Sequence, residues 1–186
     1  RDAQESRGLG DVYKRQEAGA APDIIATAKS MGAGVPISAI TARAEVMDAA
    51  PAGTIGGTYC GNPLACAAAI KTMEIMKAED YCGKSVHIGK VVTEAFEKMK
   101  EKYSVIGDVR GLGGMIGVEF VKDKESKEPN PEFVKQLIQS ALQKGLLLEN
   151  AGSAGNVIRF LAPLCMTDEQ MEAGLKIFED AIIENL

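Results

Sequence analysis

The chain alternates between short apolar runs closed by glycine and longer stretches in which apolar residues recur every three or four positions. Ile24 to Ala28 reads as a buried strand, and Pro36 to Thr41 as another. Ala44 to Ala50 reads as a short helix. Asn62-Pro63 predicts a helix start, because an Asn oxygen can accept the first free N–H groups and Pro fits the first helical position. Leu64, Ala67, Ala68, Met73 and Ile75 carry that helix to about Lys77. A second helix covers roughly Gly83 to Lys102, with Val86, Val92, Phe96 and Met99 on one side. Two strands follow, near Val105 to Arg110 and Met115 to Val121. A charged turn, Lys122 to Asn130, leads into a helix from Pro131 to Lys144. Strands at Leu146 to Glu149 and Val157 to Leu161 come next, and Thr167-Asp168-Glu169-Gln170 caps a last amphipathic helix with Met171, Leu175, Ile177, Phe178 and Ile182.

This order implies an α/β chain in which two architectures are joined. Residues 17–78 look like the tail of an α/β layer, 79–104 like a connecting helix, and 105–186 like a small α+β domain. Residues 1–16 stand apart: they lack an initiator Met, and Leu9, Val12 and Tyr13 make no sustained stripe. They read as a non-native segment, which makes the remainder, from about Glu17, the back part of a longer protein.

Composition narrows the function classes. The 186 residues are 46% hydrophobic with a net charge of −5, so the basic stripe that nucleic acid requires is missing. No apolar run is long enough to span a bilayer, and no signal segment opens the chain. Cys60, Cys66, Cys82 and Cys165 form no Cys-x-x-Cys pair, and His87 is the single histidine, so no metal site is expected. Four scattered thiols suit a reducing cytoplasm, each as a small buried hydrophobe. His87 reads as solvated, and Met73, Met76 and Met99 as core filler.

Three features carry candidate chemistry. Lys29 ends the first apolar run and precedes the turn Ser30-Met31-Gly32-Ala33-Gly34. A partly desolvated amine at such a strand end is a competent imine-forming nucleophile, although read alone it is a solvated lysine. Gly56-Gly57-Thr58, just ahead of the Asn62-Pro63 helix start, offers backbone N–H groups and a hydroxyl to a phosphate, or is an ordinary capped loop. Arg159, within the apolar strand Val157 to Leu161, is either a bidentate carboxylate clamp or half of a structural ion pair. Arg110 reads as structural. An imine-forming amine, a phosphate donor and a carboxylate clamp are together what a pyridoxal-phosphate enzyme acting on amino acids requires.

At these residues the chain resembles a known family. Pro22 to Pro36 is similar to the lysine segment of class III (ω-amino acid) aminotransferases, and Gly56 to Ala69 to their Gly-Gly-Thr and Gly-Asn-Pro-Leu-Ala segment. Val109 to Phe120 and Asn156 to Leu164 resemble the two C-terminal signatures. The Gly-Gly-Thr form and the Gly152-Ser153-Ala154-Gly155-Asn156 lead-in to Arg159 favour the 4-aminobutyrate branch. The resemblance implies a partial fold-type I pyridoxal-phosphate transferase: the tail of the large α/β domain plus the C-terminal small domain. It implies that Lys29 holds pyridoxal 5'-phosphate as an aldimine and moves a proton. Gly57 and Thr58 bind the cofactor phosphate of the neighbouring subunit, and Arg159 pairs with the carboxylate of glutamate or 2-oxoglutarate. The implied protein is a cytoplasmic homodimer or dimer of dimers passing an amino group from an ω-amino acid such as 4-aminobutyrate to 2-oxoglutarate, and this fragment alone is inactive. Cys60 and Cys165 depart from the family pattern.

Alternative readings are another class III aminotransferase, of the acetylornithine/ornithine or diaminobutyrate type, or a non-catalytic α+β interaction module. A nicotinamide-dependent oxidoreductase is a further rival, since Gly111-Leu112-Gly113-Gly114-Met115-Ile116-Gly117 approaches the dinucleotide fingerprint. Its third glycine is one position late, and a strand rather than a helix is expected after it.

Overall fold

A computed structural model describes residues 22–186. The expectation for residues 1–16 lies outside them. The chain divides into two compact units, with the boundary between Asp80 and Tyr81.

In the first unit β1 (Ile24–Thr27) pairs antiparallel with β2 (Ala39–Ala42), placing Ile24 opposite Ala42 and Thr27 opposite Ala39. A single 3-10 turn, Lys29–Gly32, sits between them. A short helix α1 (Ala44–Met47) follows β2, and α2 (Pro63–Ala78) closes the unit. The side chain of Asn62 caps α2 by accepting from the N–H groups of Leu64 and Ala65. α2 packs on the 3-10 turn, burying Ala65 and Ala69 on one side and Met31 and Gly32 on the other.

β1 is not the buried strand that the apolar run predicts. Ile24 and Ala26 are exposed and Ile25 and Thr27 half-buried, because β2 is the one strand paired with β1 among the described residues. Met73 is likewise exposed rather than core. A helix apolar on several sides and covered on one has the composition of a segment buried in a larger assembly.

The second unit is built on a four-stranded antiparallel sheet in the order β3-β4-β6-β5. Its strands are β3 (Ile106–Leu112), β4 (Met115–Phe120), β5 (Asn150–Ala151) and β6 (Val157–Leu161). α3 (Tyr81–Lys102), α4 (Pro131–Gln143) and α5 (Asp168–Glu184) contribute the helical faces of one core. The core holds Ile88, Val92 and Phe96 from α3, Ile116, Val118 and Phe120 from β4, and Leu137, Met171 and Phe178 from the other helices. Phe96 packs against Phe178 at 5.0 Å and edge-on against Phe160 at 6.0 Å between ring centroids.

Leu146 to Glu149 is not a strand: regular pairing begins at Asn150, and Leu147 is exposed. The cysteines also differ from expectation, with Cys60, Cys82 and Cys165 exposed and Cys66 half-buried. No helix among the described residues is long and apolar enough to cross a membrane.

Candidate active site

The 3-10 turn brings Lys29 out of β1 into a conformation that a side-chain-bearing residue seldom adopts. Its φ is 58°, in the left-handed region, and Ala33 (φ 49°) and Gly34 (φ 104°) also have positive φ. Such a backbone costs on the order of 1 kcal/mol per non-glycine residue and survives where surrounding structure imposes it. Two contacts of the turn hold it here: Ala33 N–H donates to Ser30 O, and Thr27 Oγ1 lies 3.5 Å from Met31 Sδ. The Lys29 side chain itself is exposed, and its amine has no hydrogen bond or ion pair among the described residues. The expected desolvation of Lys29 is therefore not provided by the described residues, which leave its side chain exposed.

Gly57 and Thr58 lie on an exposed loop before α2. Cys60 N–H donates to Gly57 O at 3.0 Å, which tightens the loop. A Cβ at Gly56 would meet nothing within 4 Å, and one at Gly57 would meet Cys60 Sγ at 3.8 Å, so a ligand can approach the backbone. The loop, the α2 N-terminus and the Lys29 turn belong to one unit.

Arg159 belongs to the other unit, on β6 opposite Gly117 of β4. Its Nη2 donates to Glu149 Oε2 at 2.8 Å, and its backbone N–H donates to Glu149 O at 3.1 Å. The Arg159 side chain is 29% exposed and that of Glu149 69%. Arg159 Nε is the one buried side-chain nitrogen or oxygen without a partner among the described residues. Both readings of Arg159 thus have support: an ion pair is formed, yet a buried donor is left unfilled. Glu149 itself was invisible as a partner, because the sequence carries no sign of the register that sets it beside Arg159.

Arg110 is structural, as expected. Its Nη1 donates to Glu119 at 2.5 Å and to Asp108 at 3.0 Å. Partial burial would raise the Asp108 carboxyl, but the Arg110 hydrogen bond and the charges of Arg110 and Lys100 outweigh it and hold that carboxyl below its usual range. His87 is exposed but not alone, with its Nε2 2.8 Å from Asp168 Oδ1. A shallow cavity of about 350 Å³ lies beside it, lined by Ile88, Leu164, Cys165 and Met166 among others, and by none of the predicted site residues. No cluster of three metal-ligating side chains occurs among the described residues. The Gly111 to Gly117 run is the end of β3, a two-residue turn at Gly113-Gly114 and the start of the antiparallel β4, which is no dinucleotide fingerprint.

In the first unit, an amine on an imposed turn and a hydroxyl with open glycine N–H groups before a helix are donors that fit pyridoxal phosphate. The solved structure of an amine transaminase from an uncultivated Pseudomonas species, in its pyridoxal-phosphate-bound form, superposes on 91% of this chain with a TM-score of 0.82 and 30% identity. That match uses 40% of the solved chain. The fold is thus that of part of a fold-type I pyridoxal-phosphate transferase, the α/β class the sequence implies.

The family model for class-III aminotransferases matches residues 8–182, and this chain belongs to that family. The 5-aminovalerate aminotransferase DavT of Pseudomonas putida is 41% identical over 94% of the chain and 41% of its own length. A probable 4-aminobutyrate aminotransferase of Bacillus subtilis is 43% identical over 85% of the chain and 36% of its own length. The chain therefore spans about two fifths of the curated relatives it matches. The family uses pyridoxal phosphate, as the sequence motifs imply.

Proposed function

We propose that this chain is the C-terminal portion of a cytoplasmic transaminase that moves an amino group from an ω-amino acid to 2-oxoglutarate. The first unit is the tail of the large cofactor-binding domain and the second is the small domain. 4-Aminobutyrate and 5-aminovalerate are the donors suggested by the relatives' names. The observation that carries the reading is the Lys29 turn: a lysine with φ 58°, its amine without a partner among the described residues.

Pyridoxal phosphate, when bound, withdraws electrons from the substrate carbon so that a proton can leave it. Lys29 supplies the amine that attaches the cofactor and afterwards accepts and returns that proton as a general base. Gly57 N–H and the Thr58 hydroxyl donate to the cofactor phosphate of the neighbouring subunit, which makes the working unit a homodimer or a dimer of dimers. Arg159 binds the carboxylate of glutamate or 2-oxoglutarate with its planar fork. These 186 residues alone are inactive, because they span only about two fifths of the length of the relatives they match.

Borohydride treatment of the full-length holoenzyme tests the assignment. Mass spectrometry is expected to find the reduced cofactor on the peptide containing Lys29, and Lys29→Ala to abolish both the adduct and turnover. An adduct on another lysine, or transamination by the isolated 186-residue chain, overturns it.

A further inference from the structure

We propose that Asn156 is a positioning residue: it pins the register of β6 against β4 and so fixes where Arg159 stands. The inference rests on Arg159 being the substrate-carboxylate clamp.

Asn156 is the single buried polar or charged residue among those described. Its Nδ2 donates to Phe120 O at 2.9 Å, and its own carbonyl oxygen accepts from Phe120 N–H at 2.8 Å. The last residue of β4 is therefore held by both the side chain and the backbone of Asn156, directly before β6 begins at Val157. From that point the ladder sets Glu119 opposite Val157, Val118 opposite Ile158 and Gly117 opposite Arg159.

Apolar alternation does not fix that ladder by itself. Ile158 belongs to the core and Phe160 packs against it, while Arg159 between them points to the other face. Slipping β6 by one position would turn Arg159 into the core, so burial guards against odd shifts. A slip by two leaves every side chain on its own face, yet carries Arg159 about 7 Å along the sheet. Asn156 opposes that shift. Moved two positions either way, its Nδ2 leaves Phe120 O, and a buried donor without a partner is costly. A single polar group in an apolar core can specify register in this way. An arginine fork placed an ångström or more from its target loses much of its benefit, so the pin acts on carboxylate affinity through Arg159.

Calorimetric titration of the full-length holoenzyme with glutarate, a five-carbon dicarboxylate with no amino or oxo group, tests this. Phe120 O also accepts from Asn130 N–H at 3.1 Å and keeps that partner when the Asn156 amide is removed, so Asn156→Leu and Asn156→Ala are expected to fold. Both are expected to raise the glutarate Kd by about five-fold, the factor that one net hydrogen bond represents. The KM for 2-oxoglutarate is expected to rise in step with kcat little changed, the mark of lost binding rather than lost chemistry. In an Arg159→Gln background the Asn156 substitutions are expected to have no further effect, which a general loosening of the fold would not produce. An unchanged Kd in both Asn156 variants, or the same weakening with and without Arg159, overturns the inference while leaving the clamp in place. Failure of both variants to fold also overturns it, because Asn156 then supports the whole sheet rather than the position of Arg159. If Arg159→Gln binds glutarate as tightly as the parent, the clamp fails, and the role of Asn156 with it.

Discussion

Single residues decide how closely the backbone segments of the second unit approach. Gly89, buried in α3, packs directly on the turn between β3 and β4; a Cβ there would collide with the Gly113 carbonyl oxygen. Ser85 Oγ, one turn earlier, accepts from Gly114 N–H at 2.9 Å and ties the same two elements. Because both sides of the Gly89 contact are backbone, no flexible side chain can give way. Gly89→Ala is expected to destabilise the protein by about 1–3 kcal/mol, the usual cost of overpacking, despite alanine's better helix propensity. The midpoint of urea unfolding measures it, and an unchanged midpoint would mean that α3 can shift away from the turn. Lys29 is the opposite case, a side chain carried on a backbone that glycine would hold more easily.

Elements form here where capping and periodicity agree. Thr167 Oγ1 accepts from Gln170 N–H while Gln170 Oε1 accepts from Thr167 N–H, the reciprocal box that the Thr-Asp-Glu-Gln signature predicts. Thr167→Ala is expected to cost about 1 kcal/mol, read as a lowered midpoint of the same transition. α4 buries Phe133, Val134, Leu137 and Ala141, in which Leu137 follows Phe133 by four positions and Val134 by three, and Ala141 follows Leu137 by four, as expected from one apolar stripe. The segment before β5 shows where local pattern fails. Leu146-Leu147-Leu148 has strand composition, yet Leu146 and Leu148 pack against the core as extended chain, and the ladder forms only at Asn150 and Ala151. Pairing depends on where the partner strand ends, which no local window contains.

At the scale of the molecule the two units differ in how much they bury. In the first unit Met31, Ala65 and Ala69 are the buried apolar residues among those described, whereas the second encloses a continuous core that includes Phe96, Phe120 and Phe178. Amides of β3, β4 and β6 are expected to exchange with deuterium more slowly than those of β1 and β2, and mass spectrometry of the whole chain checks this. Acid stability has a named contributor in Glu179. Hydrogen bonds from Lys102 and from the Tyr103 hydroxyl, each 2.7 Å, hold its carboxyl below the ordinary 4.5. A carboxylate depressed in the folded state stabilises fully above its unfolded value and loses that contribution as pH falls below 4.5 and through the folded value. Stability plotted against pH is therefore expected to fall less steeply below about pH 4.5 in Glu179→Gln than in the parent; identical slopes would remove Glu179 from the acid transition.

Capped helices and the strands β3 and β4 were legible from residue order, because helix caps and apolar spacing act within a few positions of themselves, and the family was legible from the motifs around Lys29, Thr58 and Arg159. The exposure of Lys29 and of β1 was not, since burial depends on what lies across a sheet rather than along it. The same holds for Glu149 beside Arg159 and Asp168 beside His87, pairs separated by 10 and 81 positions. Those contacts arise only when antiparallel register and helix packing bring distant side chains within hydrogen-bond reach, and that register is a property of the assembled core.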